Sequence, residues 1–234
     1  MKKPFENEAL IEGLVMAIGG NESKRGSRSS ILGSFVRHAG GENARIVIIP
    51  SASAAPEECV ARYERVFKRL GASEVFAIHA ERGEVTETDR EMIRHATGIF
   101  VTGGDQVKLM AHLRASDLVE PIRDAVRKGA VYAGTSAGAS AASQSMIAGK
   151  EDGSIAIYEG LGLVPNIIID QHFAERQRLA RLKNAVAAEQ LVGVGIDENT
   201  AIVWDGANGE VRVEGVGKVT VVDREHKLRV LAAK

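Results

Sequence analysis

Short apolar runs bounded by glycine, proline or serine alternate along this chain with longer amphipathic stretches, a pattern that wraps helices around a mostly parallel sheet. The runs are GLVMAIGG (13–20), RIVIIPS (45–51), SEVFAIHA (73–80), GIFVTGG (98–104), AVYAG (130–134), NIIID (166–170) and VGVGID (192–197). Their unbroken apolarity suits strands covered on both faces. Between them, Cys59, Tyr63, Val66 and Leu70 recur at helical steps, which predicts a helix from about Pro56 to Leu70 with Pro56 in its first turn and Gly71 just past its end. Met110 and Leu113, then Leu118, Ile122 and Val126, mark two further helices, with Asp117 placed to cap the second. Leu179, Leu182 and Val186 mark another. From Thr200 the pattern changes to TAIVWDG, EVRVEG, KVTVVD and LRVLAA, a hairpin or meander set appended to the sheet. No repeat or linker divides the chain, so residues 1–234 read as one α/β domain.

Charge and cysteine content exclude several functions. Thirty basic against 31 acidic side chains leave a net charge of −1, with no long-range field toward nucleic acid or anionic lipid. The single cysteine, Cys59, excludes an internal disulfide framework, and no Cys/His spacing resembles a zinc site, so no metal is expected. The start, MKKPFENEAL, lacks an apolar core of secretory length and no later run approaches a membrane span. A cytoplasmic protein with neither a nucleic-acid nor a membrane partner is expected.

Residues 132–141, YAGTSAGASA, place Ser136 in G-x-S-x-G between an apolar strand and the helix-compatible ASAASQSM. In such a turn the nucleophile's backbone is strained, and bulk at Gly134, Ala137 or Gly138 would collide with adjacent chain. The plainer alternative is a serine capping the helix that follows. A second glycine turn, VTGGDQVKLM, ends another apolar run. If its strand neighbours that of Ser136, the N–H groups of Gly104 and Ala137 face one carbonyl oxygen from two sides, an oxyanion hole.

A serine hydroxyl needs a base and a group to orient that base. Of six histidines, His38 and His95 close helices, His79 ends a strand, His112 lies on a helix and His226 in a tail turn. His172 differs in following directly on NIIID, at the carboxyl end of a strand, where open α/β sheets place their sites. The acid candidates are Asp197 and Glu198 in GVGIDENTA, and the period of a strand lets only one of these neighbours face the site.

GGDQ, GTSAGASA, LGLVPNIIIDQHFAERQRLARL and GVGIDENTA together resemble the cyanophycinases of peptidase family S51, a family that also contains aspartyl dipeptidases. The likeness runs from IGGNESK to VTVVD, and DQHF with its three following arginines is its most specific part. It implies a three-layer αβα fold like that of class I glutamine amidotransferases, a homodimer, and a Ser-His-Glu triad of Ser136, His172 and Glu198, selecting Glu198 over Asp197. No cofactor is required. The implied substrate is cyanophycin, a polyaspartate whose β-carboxyls carry arginine, cut along its backbone to β-Asp-Arg dipeptides. Gln106, Asp170, Gln171, Arg176, Arg178 and Arg181 would shape the pocket for such carboxylates and guanidinium groups. On bare residue type the arginines would be a solvated helix face, Asp170 a strand-end cap and Gln106 a helix cap. Positions 176 and 178 stand about 200° apart on a regular helix, so the three arginines converge only if Arg176 sits in an irregular first turn.

Two features depart from the family pattern: GGNES stands where a GGAED-like turn is usual, and AGKEDGSIAIYEG is a short connection that would alter the fit of substrate rather than the chemistry. The alternatives are an α-aspartyl or isoaspartyl dipeptidase of the same family and a non-catalytic binder of the same fold. A glutamine amidotransferase is disfavoured, because the turn holds serine and Cys59 falls on a distant helix.

Overall fold

A strand that is apolar at every position needs cover on both faces, and the computed structural model, which describes residues 13–151 and 154–233, supplies it with two sheets and the helices packed on them. In chain order the strands are β1 (Leu14–Ile18), β2 (Arg45–Ile49), β3 (Glu74–Ala77), β4 (Gly98–Val101), β5 (Val131–Thr135), β6 (Ser143–Glu151), β7 (Ser154–Glu159), β8 (Val164–Gln171), β9 (Val192–Ile196), β10 (Thr200–Asp205), β11 (Glu210–Gly215), β12 (Lys218–Val222) and β13 (Leu228–Ala232). The helices are α1 (Ile31–His38), α2 (Pro56–Arg69), α3 (Glu87–Arg94), α4 (Gln106–Ala115), α5 (Val119–Arg127), α6 (Ala137–Ala142) and α7 (Leu179–Glu189).

The first sheet has the order β11-β10-β1-β5-β4-β2-β3; its five strands from β1 to β3 run parallel, and β10 and β11 extend it antiparallel. The second has the order β13-β12-β9-β8-β6-β7, parallel from β9 through β8 to β6 and antiparallel elsewhere. Alternating side chains decide what lies where. Met16, Ile18, Ile46, Ile48 and Phe100 face α1 and α2, where Phe35, Tyr63, Phe67 and Phe100 pack with ring centroids 4.6–5.9 Å apart. Val15, Val47, Ile49 and Val101 face the other way, into a core shared with α3, α4, α5, α6 and the inner face of the second sheet. Each such fully buried aliphatic side chain contributes roughly 1.5–3 kcal/mol. The outer face of the second sheet, with Ile147, Ile168 and Val222, is covered by Leu182, Ala185 and Val186 of α7.

The mixed α/β architecture with helices on both sides of a mostly parallel sheet is as the sequence indicates, and the departures are local. The NIIID and VGVGID runs become β8 and β9 of the second sheet instead of joining the first, and the tail divides, β10–β11 going to one sheet and β12–β13 to the other. Helix α6 stops at Ala142, and the segment expected as a short connection is the β6–β7 hairpin. Asp117 does not cap α5, which starts from Leu118 without a side-chain cap bond. Its φ of +52° instead closes α4: the N–H of Asp117 donates to Arg114 O and that of Leu118 to Leu113 O, the paired bonds of a left-handed helix stop. Leu179 is exposed, so α7 buries a narrower stripe than the sequence suggests. Among the described residues no helix is long and apolar enough to cross a membrane.

Candidate active site

Helix α6 is the element on which the site is built. Its residues, Ala-Gly-Ala-Ser-Ala-Ala, are all buried, and it packs against β1, β4 and β5 of one sheet and β6 and β8 of the other. Only small side chains permit that approach: a β-carbon on Gly134 would stand 2.2 Å from Gly138 O, and one on Gly138 would stand 2.3 Å from Val101 O. Ser140 Oγ donates to Ile169 O at 3.3 Å, fastening α6 to β8.

Ser136 occupies the position before α6, yet its side chain makes no cap bond. Its backbone has φ +52° and ψ −107°, a conformation that costs on the order of 1–3 kcal/mol in a residue with a β-carbon. The hydroxyl is turned instead toward His172 Nε2, 2.9 Å away. His172 immediately follows β8, also at positive φ (+48°), and its Nδ1 lies 2.7 Å from Glu198 Oε1. A carboxylate accepts, so Nδ1 carries the proton and Nε2 presents its lone pair to the serine, an assignment that follows from the hydrogen-bond network. The His172 hydrogen bond, followed by one from Asn21 Nδ2 to Oε2 at 2.9 Å, holds the Glu198 carboxyl below the ordinary glutamate value. Asp197 is occupied elsewhere: Oδ1 accepts from the N–H of Ala174 and Oδ2 from that of Lys218.

Ser136 hangs from the first sheet and His172 from the second, and the end of β1 joins them. Three successive carbonyls, Ile18, Gly19 and Gly20, accept from the N–H groups of Ser136 (2.9 Å), His172 (2.8 Å) and Asn199 (2.8 Å). A β-carbon on Gly20, at φ +104°, would stand 2.3 Å from the His172 ring, so no larger residue fits there with the imidazole in place. Glu22 then turns inward, 2% exposed, to accept from Thr135 Oγ1 (2.6 Å) and Tyr63 OH (2.5 Å) beside Lys24 (3.2 Å). Of nine described non-glycine residues at positive φ, four belong to these turns: Asn21, Ser136, His172 and Asn199. Backbone strain is concentrated where the polar row is assembled.

Strands β4 and β5 pair with Val101 opposite Gly134, so the turns after them emerge side by side, and a β-carbon on Gly103 would stand 3.2 Å from Ser136 Cβ. Gly104 and Ser136 line one cavity of about 460 Å³, together with Asp105, Gln106, Ala148, Gln171 and the three arginines Arg176, Arg178 and Arg181. The arginines converge because α7 begins only at Leu179, leaving Arg176 and Arg178 in the preceding turn. Asp170, fully buried behind them, accepts from Arg178 Nη1 (2.8 Å), from Arg181 Nε (2.8 Å) and from Arg181 Nη2. Arg178 Nη1 also reaches Gln171 O and Oε1. Burial draws the Arg178 pKa down against the opposing pull of Asp170. Gln106 caps nothing; Asp105 caps α4, and Gln106 Nε2 donates to Ile147 O, tying α4 to the β6–β7 hairpin that forms one wall.

The other histidines bond away from the serine, His38 to Arg212, His79 to Glu81, His95 to Glu91 and His112 to Ser51 O, and His226 lies in the turn before β13. Cys59 lies on α2 and packs against the core beneath it, its thiol pKa pushed up by burial. Among the described residues no group of three or more His, Cys, Asp or Glu side chains could hold a metal ion. Sequence reasoning passed over Asn21, Glu22 and Glu175, whose carboxylate accepts from the Glu198 N–H. The available signal was a strand ending in Gly-Gly at the carboxyl edge of the sheet, followed at once by a residue tolerant of positive φ.

Known proteins share the sequence pattern and the fold. The profile of peptidase family S51 matches residues 14–212. A cyanophycinase of Trichormus variabilis is 42% identical over 219 residues, 89% of this chain and 73% of that protein. A probable alpha-aspartyl dipeptidase of Drosophila melanogaster is 34% identical over 157 residues, 61% of each chain. The crystal structure of a peptidase from an acI-B1 actinobacterium superposes with a TM-score of 0.77 over 94% of both chains at 22% identity, a likeness of fold.

Proposed function

The chain belongs to peptidase family S51, and we propose that it hydrolyses the aspartate backbone of cyanophycin through Ser136, His172 and Glu198. The observation that carries this reading is the unbroken row from Ser136 Oγ through both nitrogens of His172 to Glu198, opening on a cavity lined by three guanidinium groups.

In the proposed cycle Ser136 Oγ attacks the scissile carbonyl carbon while its proton passes to His172 Nε2. Glu198 holds the ring in the reactive tautomer and stabilises the imidazolium that forms. The N–H groups of Gly104 and Ala137 take the tetrahedral oxyanion; Ala137, in the first turn of α6, has no helical carbonyl to bond. His172 gives the proton to the leaving amine nitrogen as the C–N bond breaks, and the amine departs with the bonding pair, leaving an acyl ester on Ser136. A water gives its proton to His172 and its oxygen to the acyl carbon, and the serine leaves with that proton.

Arg176, Arg178 and Arg181 outnumber Asp105 on the cavity wall and Asp170 behind it, an excess of positive charge suited to a chain rich in carboxylates. Arg178 and Arg181 are already oriented by Asp170 and Gln171, so they enter binding with little ordering left to lose. Arg176 is the exposed one, on the cavity wall, and its charge acts on Glu198. The setting of the proposal is a cytoplasmic homodimer, whose mass light scattering would give.

Incubation with cyanophycin and, separately, with Asp-Xaa and isoaspartyl dipeptides, followed by mass identification of products, tests the reading. Release of β-Asp-Arg from the polymer supports it. Cleavage of dipeptides alone replaces it with a dipeptidase, and inertness toward both substrates and a fluorophosphonate label leaves a binder without turnover.

A further inference from the structure

Among the described residues, the GGNE turn after β1 contains the one side-chain group outside the triad that bonds Glu198's carboxylate, and that group is not used in the cycle above. We propose that Asn21 is a positioning residue: its amide fixes Glu198 Oε2 so that Oε1 stays on His172. This inference rests on the reading of Ser136, His172 and Glu198 as the catalytic row.

The terminal torsion of a glutamate is broad, so a carboxylate held by one bond swings, while one held by two is aimed. Glu198 side chain is 29% exposed, and water competes for whichever oxygen is unheld. Asn21 can hold it because both of its neighbours are fixed. Gly20 O is bonded to the N–H of Asn199, and the Glu22 side chain is locked to Thr135, Tyr63 and Lys24. Asn21 itself sits at φ +49°, a conformation asparagine adopts more readily than most residues with a side chain. Around Glu198 the other charged groups are His172 on its first oxygen, Arg176 nearby, the Glu175 carboxylate at its backbone N–H, and its neighbour Asp197, pinned by Ala174 and Lys218. Among the described residues only Asn21 supplies an uncharged side-chain donor, which orients the carboxylate without competing for the imidazole proton. The residue is exposed and carries little of the core, so its loss separates positioning from folding.

Two variants test this. Asn21→Gly keeps the left-handed backbone and deletes the amide; Asn21→Asp keeps the shape and turns an acceptor on Glu198. For Asn21→Gly, kcat is expected to fall about tenfold with KM changed less than about twofold. The acid limb of its pH profile should move to higher pH, because Glu198 loses a donor that favours its ionised form. Asn21→Asp should lose more, about a hundredfold, with a larger shift of that limb. Melting temperatures should stay within about 2 °C of the parent. Unchanged kcat and pH profile in Asn21→Gly overturn the inference, as do losses that simply follow a lowered melting temperature. Should the parent cleave no aspartyl substrate, the rate of fluorophosphonate labelling at Ser136 replaces turnover. Slower labelling in Asn21→Gly then supports positioning although the substrate reading has failed, equal labelling overturns positioning, and no labelling of the parent overturns both.

Discussion

Thr135 and Ser136 are adjacent, and each ends a row of hydrogen-bonded polar groups built partly from the turn after β1. The row from Thr135 runs to Glu22, Tyr63 and Lys24 and is closed: Glu22 is 2% exposed and both its oxygens are taken. Burial pushes the Glu22 pKa up, but the Lys24 charge and the hydroxyls of Thr135 and Tyr63 outweigh it and hold the carboxyl below the ordinary value. Burial foremost, then the Glu22 carboxylate it bonds, pushes the Tyr63 hydroxyl well above its own. No proton moves there near neutrality. The row from Ser136 is made of similar groups at similar distances, yet it opens on the cavity. Hydrogen bonding alone therefore does not make a reactive site. On the proposed reading, an entrance for substrate and a base at His172 set the Ser136 row apart.

The sharpest way to break this contrast is Ser136→Ala, expected to lower kcat by at least about 10⁴-fold while circular dichroism and melting temperature hold. A variant that keeps most of its turnover would remove the distinction between the rows. Next is Asp170→Asn, which leaves Arg178 and Arg181 without their buried countercharge. We expect a loss of about 3 kcal/mol in urea unfolding, with a raised KM in whatever folds. Glu22→Gln should cost about 2 kcal/mol and change kcat less than about tenfold; the opposite pattern, intact stability with lost turnover, would place Glu22 among the reactive groups. The smallest effect is one of pH. Because the Glu22 pKa is lowered on folding, its stabilisation is fully present above the ordinary glutamate value and is lost as pH falls through the lowered one. Urea midpoints measured from pH 7 down through that window should fall less steeply in Glu22→Gln than in the parent.

What could be read from the sequence, and what could not, follows the same physics. The strands of the first sheet were visible because residues such as Val47, Ile48 and Ile49 are buried on both faces, and apolar runs record burial. They do not record partners, so β8 and β9 looked like further members of one sheet when they pair in another. The β6–β7 hairpin was concealed by ASAASQSM, which suits a helix as well as a strand. Ser136 and His172 were legible from strand ends; the choice of Glu198 over Asp197 came from family likeness, since the residues alone left both open. The convergence of the arginines depends on α7 starting at Leu179, and helix starts are poorly marked where no cap residue announces them. The GGNES turn stood out only as a departure from the family pattern; the role of Asn21 did not show, because it lies in a contact across 177 positions of chain.

Ser136 rides on one sheet and His172 on the other, so the 2.9 Å between them measures how the two sheets are seated. In the proposed cycle, a slip of about 1 Å along that seam is enough to misalign Ser136 and His172. Turnover is thus a gauge of the docking itself, and in mild denaturant it should fade while ellipticity still reports two intact halves.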